Sequence, residues 1–193
     1  MLDSADALPL RPRRVLVAGV SGSGKTTLAA RIAGITGGPH TEIDALYHGP
    51  DWTPRPTFAA EVAAFTEAPA WTTEWQYSDV RELLADRADL LVWLDLPYWR
   101  STFPRVLRRT VRRSRGRETL WNGNVEPPLW TFFTSRENII RWSLATRNIY
   151  RERIVAVEAA RPALVVVRLR TAAEVESWLA GPLTSAVRGG AGG

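Results

Sequence analysis

RRVLVAGVSGSGKTTLAARIAG, residues 13–34, decides how the rest of the chain is read. Its first part, VLVAG (15–19), is a short apolar run rich in β-branched residues and closed by glycine, the pattern of a buried strand. GKTTLAARIAG has helical spacing and stops at Gly34. Between them GVSGSGKT (19–26) fits G-x-x-x-x-G-K-[ST] at every fixed position. Gly19, Gly22 and Gly24 let the backbone turn tightly and approach phosphate oxygens without a Cβ in the way. The N–H groups of such a loop form an anion-binding nest, and the helix beginning near Gly24 adds the positive end of its dipole. Lys25 is a compact charge on a flexible stem, suited to bridging β- and γ-phosphates, and Thr26 offers a hydroxyl to Mg²⁺. Ser21, Ser23 and Thr27 complete the expected nucleotide-binding set. Lys25 is also the only lysine among 25 lysines and arginines. Arginine's planar fork does not nestle in this loop as an ammonium does, so here lysine has a reason to persist.

Composition narrows what surrounds this motif. The chain has 193 residues, enough for one domain with a sizeable core. No apolar run is long enough for a transmembrane helix, and residues 1–14 lack the apolar segment of a signal peptide. The absence of cysteine excludes disulfides and thiolate metal sites. These features lead to the expectation of a cytoplasmic protein without membrane contact. A formal charge of +5 and a pI near 10.4 favour anionic partners without choosing among them.

Further along, 41–44, 71–75, 90–97 and 163–170 read as strands. Helices are expected over 58–65, 78–89, 97–113, 135–160 and 171–180. Ser78 is a candidate N-cap, and Thr171 with Glu174 has capping-box spacing. Strands alternating with helices predict a three-layer α/β domain over 13–185 with a five-stranded parallel sheet. Residues 45–70 and 114–134 are expected as mobile additions to the core. Residues 1–12 and 186–193 are expected as flexible tails. A P-loop alone names no activity. The chain is small for a motor or transporter, and a GTPase Asn-Lys-x-Asp loop needs a second lysine.

Taken in order, GVSGSGKTTLA, EIDALYHGPDWTP, WTTEWQY, LLVWLDLP, RVLRRTVRRSRGR and VVVRLRTAAEVESWL resemble the small P-loop kinases of nucleoside monophosphate kinase fold. The similarity is greatest to the adenylate-kinase-related, topology modulation protein type, and it covers about residues 13–180. The resemblance implies sheet order 2-3-1-4-5, with nucleotides at the carboxyl ends of the strands. It places Asp44 at the end of the second strand, to orient Mg²⁺-bound water or hold an acceptor hydroxyl, where a turn cap is the alternative. Glu74 ends the third strand in EWQY, where the family usually has aspartate–glycine–asparagine–tyrosine; Trp75 stands at the glycine. Asp95, after the fourth strand, is read either as a metal-binding carboxylate or as a cap on the next helix. Arg109, Arg113 and Arg117 fall in a cluster of seven arginines over 105–117, where the family's lid closes on the triphosphate. A well-placed arginine there is worth ~10³-fold or more in rate. Arg168 or Arg170 is expected near the adenine or, equally, in solvent at the sheet end. Among nine tryptophans, Trp93 and Trp178 are expected in the core, and His40 and His48 in loops.

The expected activity is transfer of a phosphoryl group from Mg·ATP to a small acceptor, a nucleotide first and a hydroxyl compound second. With a hydroxyl acceptor, Asp44 or Glu74 is the candidate base; with an AMP-like one, Arg55 or Arg81 would bind it. The alternative class is a nucleotide-gated regulatory or nucleic-acid-binding protein, suggested by the basic cluster. Nothing in the sequence sets the oligomeric state.

Overall fold

The computed structural model describes residues 1–97 and 139–189, the side chains of 139–149 excepted. The expected lid, the basic helix and Arg109, Arg113 and Arg117 lie outside the described residues. In chain order the elements are β1 (Arg14–Gly19), α1 (Lys25–Thr36), α2 (Ile43–Tyr47), α3 (Phe58–Phe65), β2 (Trp71–Glu74), α4 (Ser78–Arg87) and β3 (Leu90–Leu94). After the undescribed stretch come α5 (Ile139–Ala160), β4 (Val165–Leu169), α6 (Ala172–Trp178) and α7 (Thr184–Gly189).

The described strands form one parallel sheet of four, ordered β2-β1-β3-β4. This is the expected order without its first edge strand. Residues 41–44, read as that strand, form no ladder; a single bridge precedes them, His40 with Thr72, before the chain turns into α2. The reason lies in the side chains of β2. The Thr73 hydroxyl donates to the Thr41 carbonyl at 2.7 Å, and Glu74 Oε2 accepts from the Ile43 N–H at 3.2 Å. Side chains thus take the backbone groups that a longer ladder would have used.

Side chains alternate along β1 because successive Cβ atoms point to opposite faces. Leu16 and Ala18 join Trp71, Trp75, Leu84, Leu91, Trp93 and the α5 stripe Tyr150, Ile154 and Val157. Val15 and Val17 join Leu28, Ile32, Val92, Trp178 and Leu183 on the other face. Trp93 and Trp178 are therefore core, as expected. So are Trp71 and Trp75, whose indole N–H groups donate to the Thr66 and Arg81 carbonyls. Trp75 turns into the core rather than towards an acceptor.

Three local expectations change. Residues 45–70 are not a loose excursion: Phe58 and Val62 of α3 are buried in the same cluster as Ile43. Residues 1–12 are partly docked rather than free. Leu2 bridges Val167 in parallel, with its N–H donating to Val166 at 2.7 Å and its carbonyl accepting from Arg168 at 2.9 Å. This covers the exposed edge of β4, which would otherwise present unpaired backbone groups. At the other end α7 reaches Gly189, past the expected start of a tail at 186. Half of the expected capping box is present: Thr171 Oγ1 accepts from the Glu174 N–H at 3.1 Å, while the Glu174 carboxylate accepts from the N–H of Arg170, one residue before the N-cap, at 2.7 Å. Ser78, by contrast, is the first residue of α4; the N-cap is Tyr77, without a side-chain cap.

Candidate active site

The parallel sheet brings the carboxyl ends of its strands to one side, and β1 delivers the phosphate loop there. Gly24, the N-cap of α1, has φ 98°, which a side chain would strain. A Cβ on Gly19 would stand 2.7 Å from Ser23 Oγ and 3.1 Å from both Cβ and carbonyl of Leu94. The loop is therefore seated directly against the end of β3. Within it the Ser23 N–H donates to Val20 at 3.1 Å. Lys25 is buried, and its Nζ donates to the Val20 carbonyl at 3.2 Å. The lysine thus folds back over the loop that its own helix closes. Ser23 is buried beneath, while Thr26 and Thr27 are exposed on the first turn of α1.

Register pairs Val17 of β1 with Glu74 of β2, which sets Glu74 beside the phosphate loop. Its carboxylate is 2% exposed. It accepts from the Ile43 N–H at 3.2 Å and meets His40 Nε2 at 3.3 Å. Burial pushes its pKa up, but the interactions with His40 and Ile43 outweigh this and hold it below the ordinary value. An ionised carboxylate therefore sits beside the loop whose Thr26 hydroxyl the motif offers to a metal.

One residue beyond Ile43, Asp44 lies in the first turn of α2, not at a strand end. Its Oδ1 accepts from Gln76 Nε2 at 3.0 Å and from the Tyr77 hydroxyl at 2.7 Å. The Tyr77 hydroxyl also stands 3.3 Å from His48 Nε2, and its ring stacks on Tyr47 with centroids 3.9 Å apart. Burial, then the negative charge of Asp44, raise the Tyr77 pKa far above the ordinary phenol value, so it is a donor at any working pH. Tyr77 holds this position at φ 56°, a left-handed conformation that costs a bulky residue of order 1 kcal/mol or more.

On the opposite flank of β1, Asp95 follows β3. Its Oδ2 accepts from Arg168 Nε at 2.8 Å and from Arg168 Nη2. The Arg168 guanidinium also lies 4.8 Å above the Trp93 ring. Arg168 is thus neither in solvent nor free to reach a base, and Arg170 pairs with Asp3 at 3.0 Å. A cavity of about 310 Å³ opens beside the phosphate loop, from Ser23 and Gly24 along Thr27 and Leu28 to α6. Its rim is crossed by Arg31 and Glu176, joined by two hydrogen bonds of 2.6 and 2.7 Å.

The structure therefore brings together Gly19, Ser21, Gly22, Ser23, Gly24, Lys25, Thr26, Thr27 and Glu74, with Asp44 one residue from the Glu74 network. His40, His48, Gln76 and Tyr77 join them. Sequence reading left both histidines in loops, because only the pairing of His40 with Thr72 carries that imidazole to Glu74. Among the described residues, no three His, Asp or Glu side chains converge as a metal cage. A magnesium held by one hydroxyl, one nearby carboxylate and nucleotide phosphates needs none. Among the described residues no helix is long and apolar enough to cross a membrane.

No family model and no curated protein matches the chain. Among solved structures, a gluconokinase from Sinorhizobium meliloti 1021 is 22% identical with TM-score 0.51, over 93% of this chain and 96% of that one. An unliganded sugar kinase from Janibacter sp. HTCC2649 is 22% identical with TM-score 0.45, over 92% of this chain and 91% of its own. At this identity the gluconokinase likeness is one of fold: an α/β domain with a parallel sheet, as in P-loop kinases.

Proposed function

We propose that the protein is an ATP-dependent kinase that phosphorylates a hydroxyl group on a small acceptor. The observation that carries this reading is the buried Glu74 carboxylate, on the strand next to β1 beside the phosphate loop and bonded by the Ile43 N–H and His40. A loop that only bound an anion would not need a buried ionised carboxylate there. A metal held with the triphosphate does, because it brings positive charge to that point. The loop N–H groups and Lys25 would hold the β- and γ-phosphates, and Thr26 with Glu74 would hold Mg²⁺. When bound, Mg·ATP supplies the phosphoryl group and neutralises its charge. The nucleoside would extend into the cavity beside Thr27 and Leu28. Asp95 is not assigned to the metal, because Arg168 already holds its Oδ2.

Asp44 is the candidate base. Gln76 and Tyr77 both bond its Oδ1, which fixes the carboxylate plane and leaves Oδ2 to accept an acceptor hydroxyl proton. The gluconokinase of like fold is named for a hydroxyl-bearing substrate, which supports this acceptor class over a nucleotide. A nucleotide's phosphate oxygen needs no base, so the two acceptor classes separate on Asp44→Asn.

The test is product analysis. The protein is incubated with Mg·ATP and a mixed pool of sugars, sugar acids, polyols and nucleoside monophosphates, with Lys25→Ala as control. A new phosphorylated hydroxyl compound absent from the control is expected. A phosphorylated nucleotide instead would move the acceptor class. No product, with binding to DNA that weakens steeply with salt, would favour the regulatory reading.

A further inference from the structure

Asp44 lies in the first turn of α2 and His48 is its C-cap, with the His48 N–H donating to the Asp44 carbonyl at 3.1 Å. Four residues apart, the two side chains share a helix face. Both meet one group, the Tyr77 hydroxyl, Asp44 Oδ1 at 2.7 Å and His48 Nε2 at 3.3 Å. A phenol has one proton to give. With Asp44 ionised, as a base must be, the short contact with the carboxylate takes that proton. The Tyr77 oxygen then faces His48 with its lone pairs. The imidazole is therefore the donor and carries a proton on Nε2. The other tautomer would turn an acceptor towards the phenol and draw its proton away from Asp44. Two oxygens would then face each other across 2.7 Å.

The surroundings hold this arrangement. Tyr47 stacks on Tyr77 at an interplanar angle of 19°, and Phe58 meets both rings edge-on at 5.0 and 5.2 Å. These contacts fix the plane of the phenol. His48 is met edge-on by Tyr47 at 5.0 Å and by Trp52 at 5.2 Å. Trp52 reaches it from the tip of a tight turn, closed by the His48–Pro54 bridge and by the Gly49 N–H on the Thr53 carbonyl at 2.7 Å. At that tip Asp51 and Trp52 have φ 54° and 59°, two successive side-chain-bearing residues in the left-handed region. Such strain persists only where the surrounding structure imposes it, and it gathers at functional sites. Here it sets an indole against the imidazole.

We infer that His48 is a positioning residue for the candidate base: its Nε2–H, acting through Tyr77, commits the phenol proton to Asp44 Oδ1 and leaves Oδ2 to take the acceptor's proton. This rests on the kinase reading above. In the step so served, the acceptor oxygen bonds to the γ-phosphorus, the bond from that phosphorus to the ADP oxygen breaks, and the acceptor's proton passes to Oδ2. The protons of Tyr77 and His48 stay where they are.

The first arm of the experiment needs no turnover. The whole protein is prepared with histidine labelled at its ring nitrogens, and proton–nitrogen correlations are recorded at mildly alkaline pH. The chain has two histidines, so His40→Gln assigns the signals. A proton on His48 Nε2 is expected; a bare Nε2 with the proton on Nδ1 overturns the inference. The second arm reads ADP release from Mg·ATP with the mixed pool of sugars, sugar acids, polyols and nucleoside monophosphates. His48→Phe keeps a ring against Tyr47 and Trp52 but loses the donor. It should lower kcat about tenfold with KM for ATP unchanged. His48→Gln, whose amide offers an N–H in place of Nε2, should recover most of that loss. Wild-type kcat in His48→Phe, or an equal loss in both variants, overturns the inference. Wild-type affinity for a non-hydrolysable ATP analogue shows that each variant is folded. No ADP release by the wild type would instead overturn the kinase reading, while the first arm still decides whether His48 donates to Tyr77.

Discussion

Glu74 and Asp95 occupy equivalent places on either side of the phosphate loop, yet they are different groups. Glu74 is the last residue of β2 and Asp95 the first after β3, and both strands pair with β1. Glu74 is 2% exposed and held by the Ile43 N–H and the His40 imidazole, beside the loop. Asp95 is 30% exposed and faces a guanidinium. Position at a strand end is therefore a poor guide to role; the partners decide. A carboxylate with no arginine among its described partners keeps its negative charge available to a cation. One already paired with arginine has spent it on the fold.

The largest effects test whether the loop and its carboxylate act as one unit. Lys25→Ala is expected to reduce phosphoryl transfer by about 10³-fold or more, measured as turnover under saturating ATP. Asp44→Asn should lower kcat by about 10²- to 10⁴-fold for a hydroxyl acceptor while leaving ATP-analogue affinity unchanged, the pattern of a lost general base. Glu74→Gln should cost about 10²-fold in kcat and raise the Mg²⁺ concentration needed for half-maximal rate. Asp95→Asn gives the sharpest contrast. It removes a part-exposed ion pair, so stability should fall by about 1 kcal/mol or less, with kcat within about threefold of wild type. If Asp95→Asn proved as damaging to turnover as Glu74→Gln, the two flanks would be alike and the distinction drawn here would fail.

How far the sequence led follows the same division. The phosphate loop was legible because its geometry is enforced locally: Gly19 and Gly24 answer to a close contact and a left-handed turn, each within a few residues. The parallel sheet was legible from the alternation of elements, and its order, apart from the edge, came from the resemblance to the small P-loop kinases. Residues 41–44 have a strand's composition, but side chains of Thr73 and Glu74, some thirty positions away, take over their backbone groups. Long-range side-chain capture leaves no periodicity to read. Asp44 was found but assigned to a strand end for this reason. His40 and Tyr77 matter through partners on other elements, so their significance waits on the fold. Tyr77 shows it best, since an unfavourable φ is hidden in an ordinary aromatic until its hydroxyl is seen on Asp44.

The smallest predicted effect concerns two buried acids whose pKa values end up shifted in opposite directions. Glu74 has its folded pKa lowered, so its stabilising contribution is present above the unfolded value near 4.5 and is lost as pH falls through the folded one. Asp89 also accepts backbone bonds, from Arg13 and Arg14, at 3.0 to 3.2 Å. There burial outweighs those bonds and the folded pKa is raised above 3.8. For an acid so shifted, the folded state binds protons more readily than the unfolded one. Stability from that site therefore rises as pH falls through the raised value and levels off near 3.8. Urea midpoints compared between pH 7 and pH 3.5 should separate the two. Glu74→Gln should lie furthest below the wild type at neutral pH and converge on it in acid. The gap for Asp89→Asn should instead widen in acid, as the native carboxyl takes up its proton and regains stability. Parallel behaviour of the two variants would mean that the donors around Glu74 do not outweigh its burial. The ionised carboxylate beside the phosphate loop would then lose its physical basis.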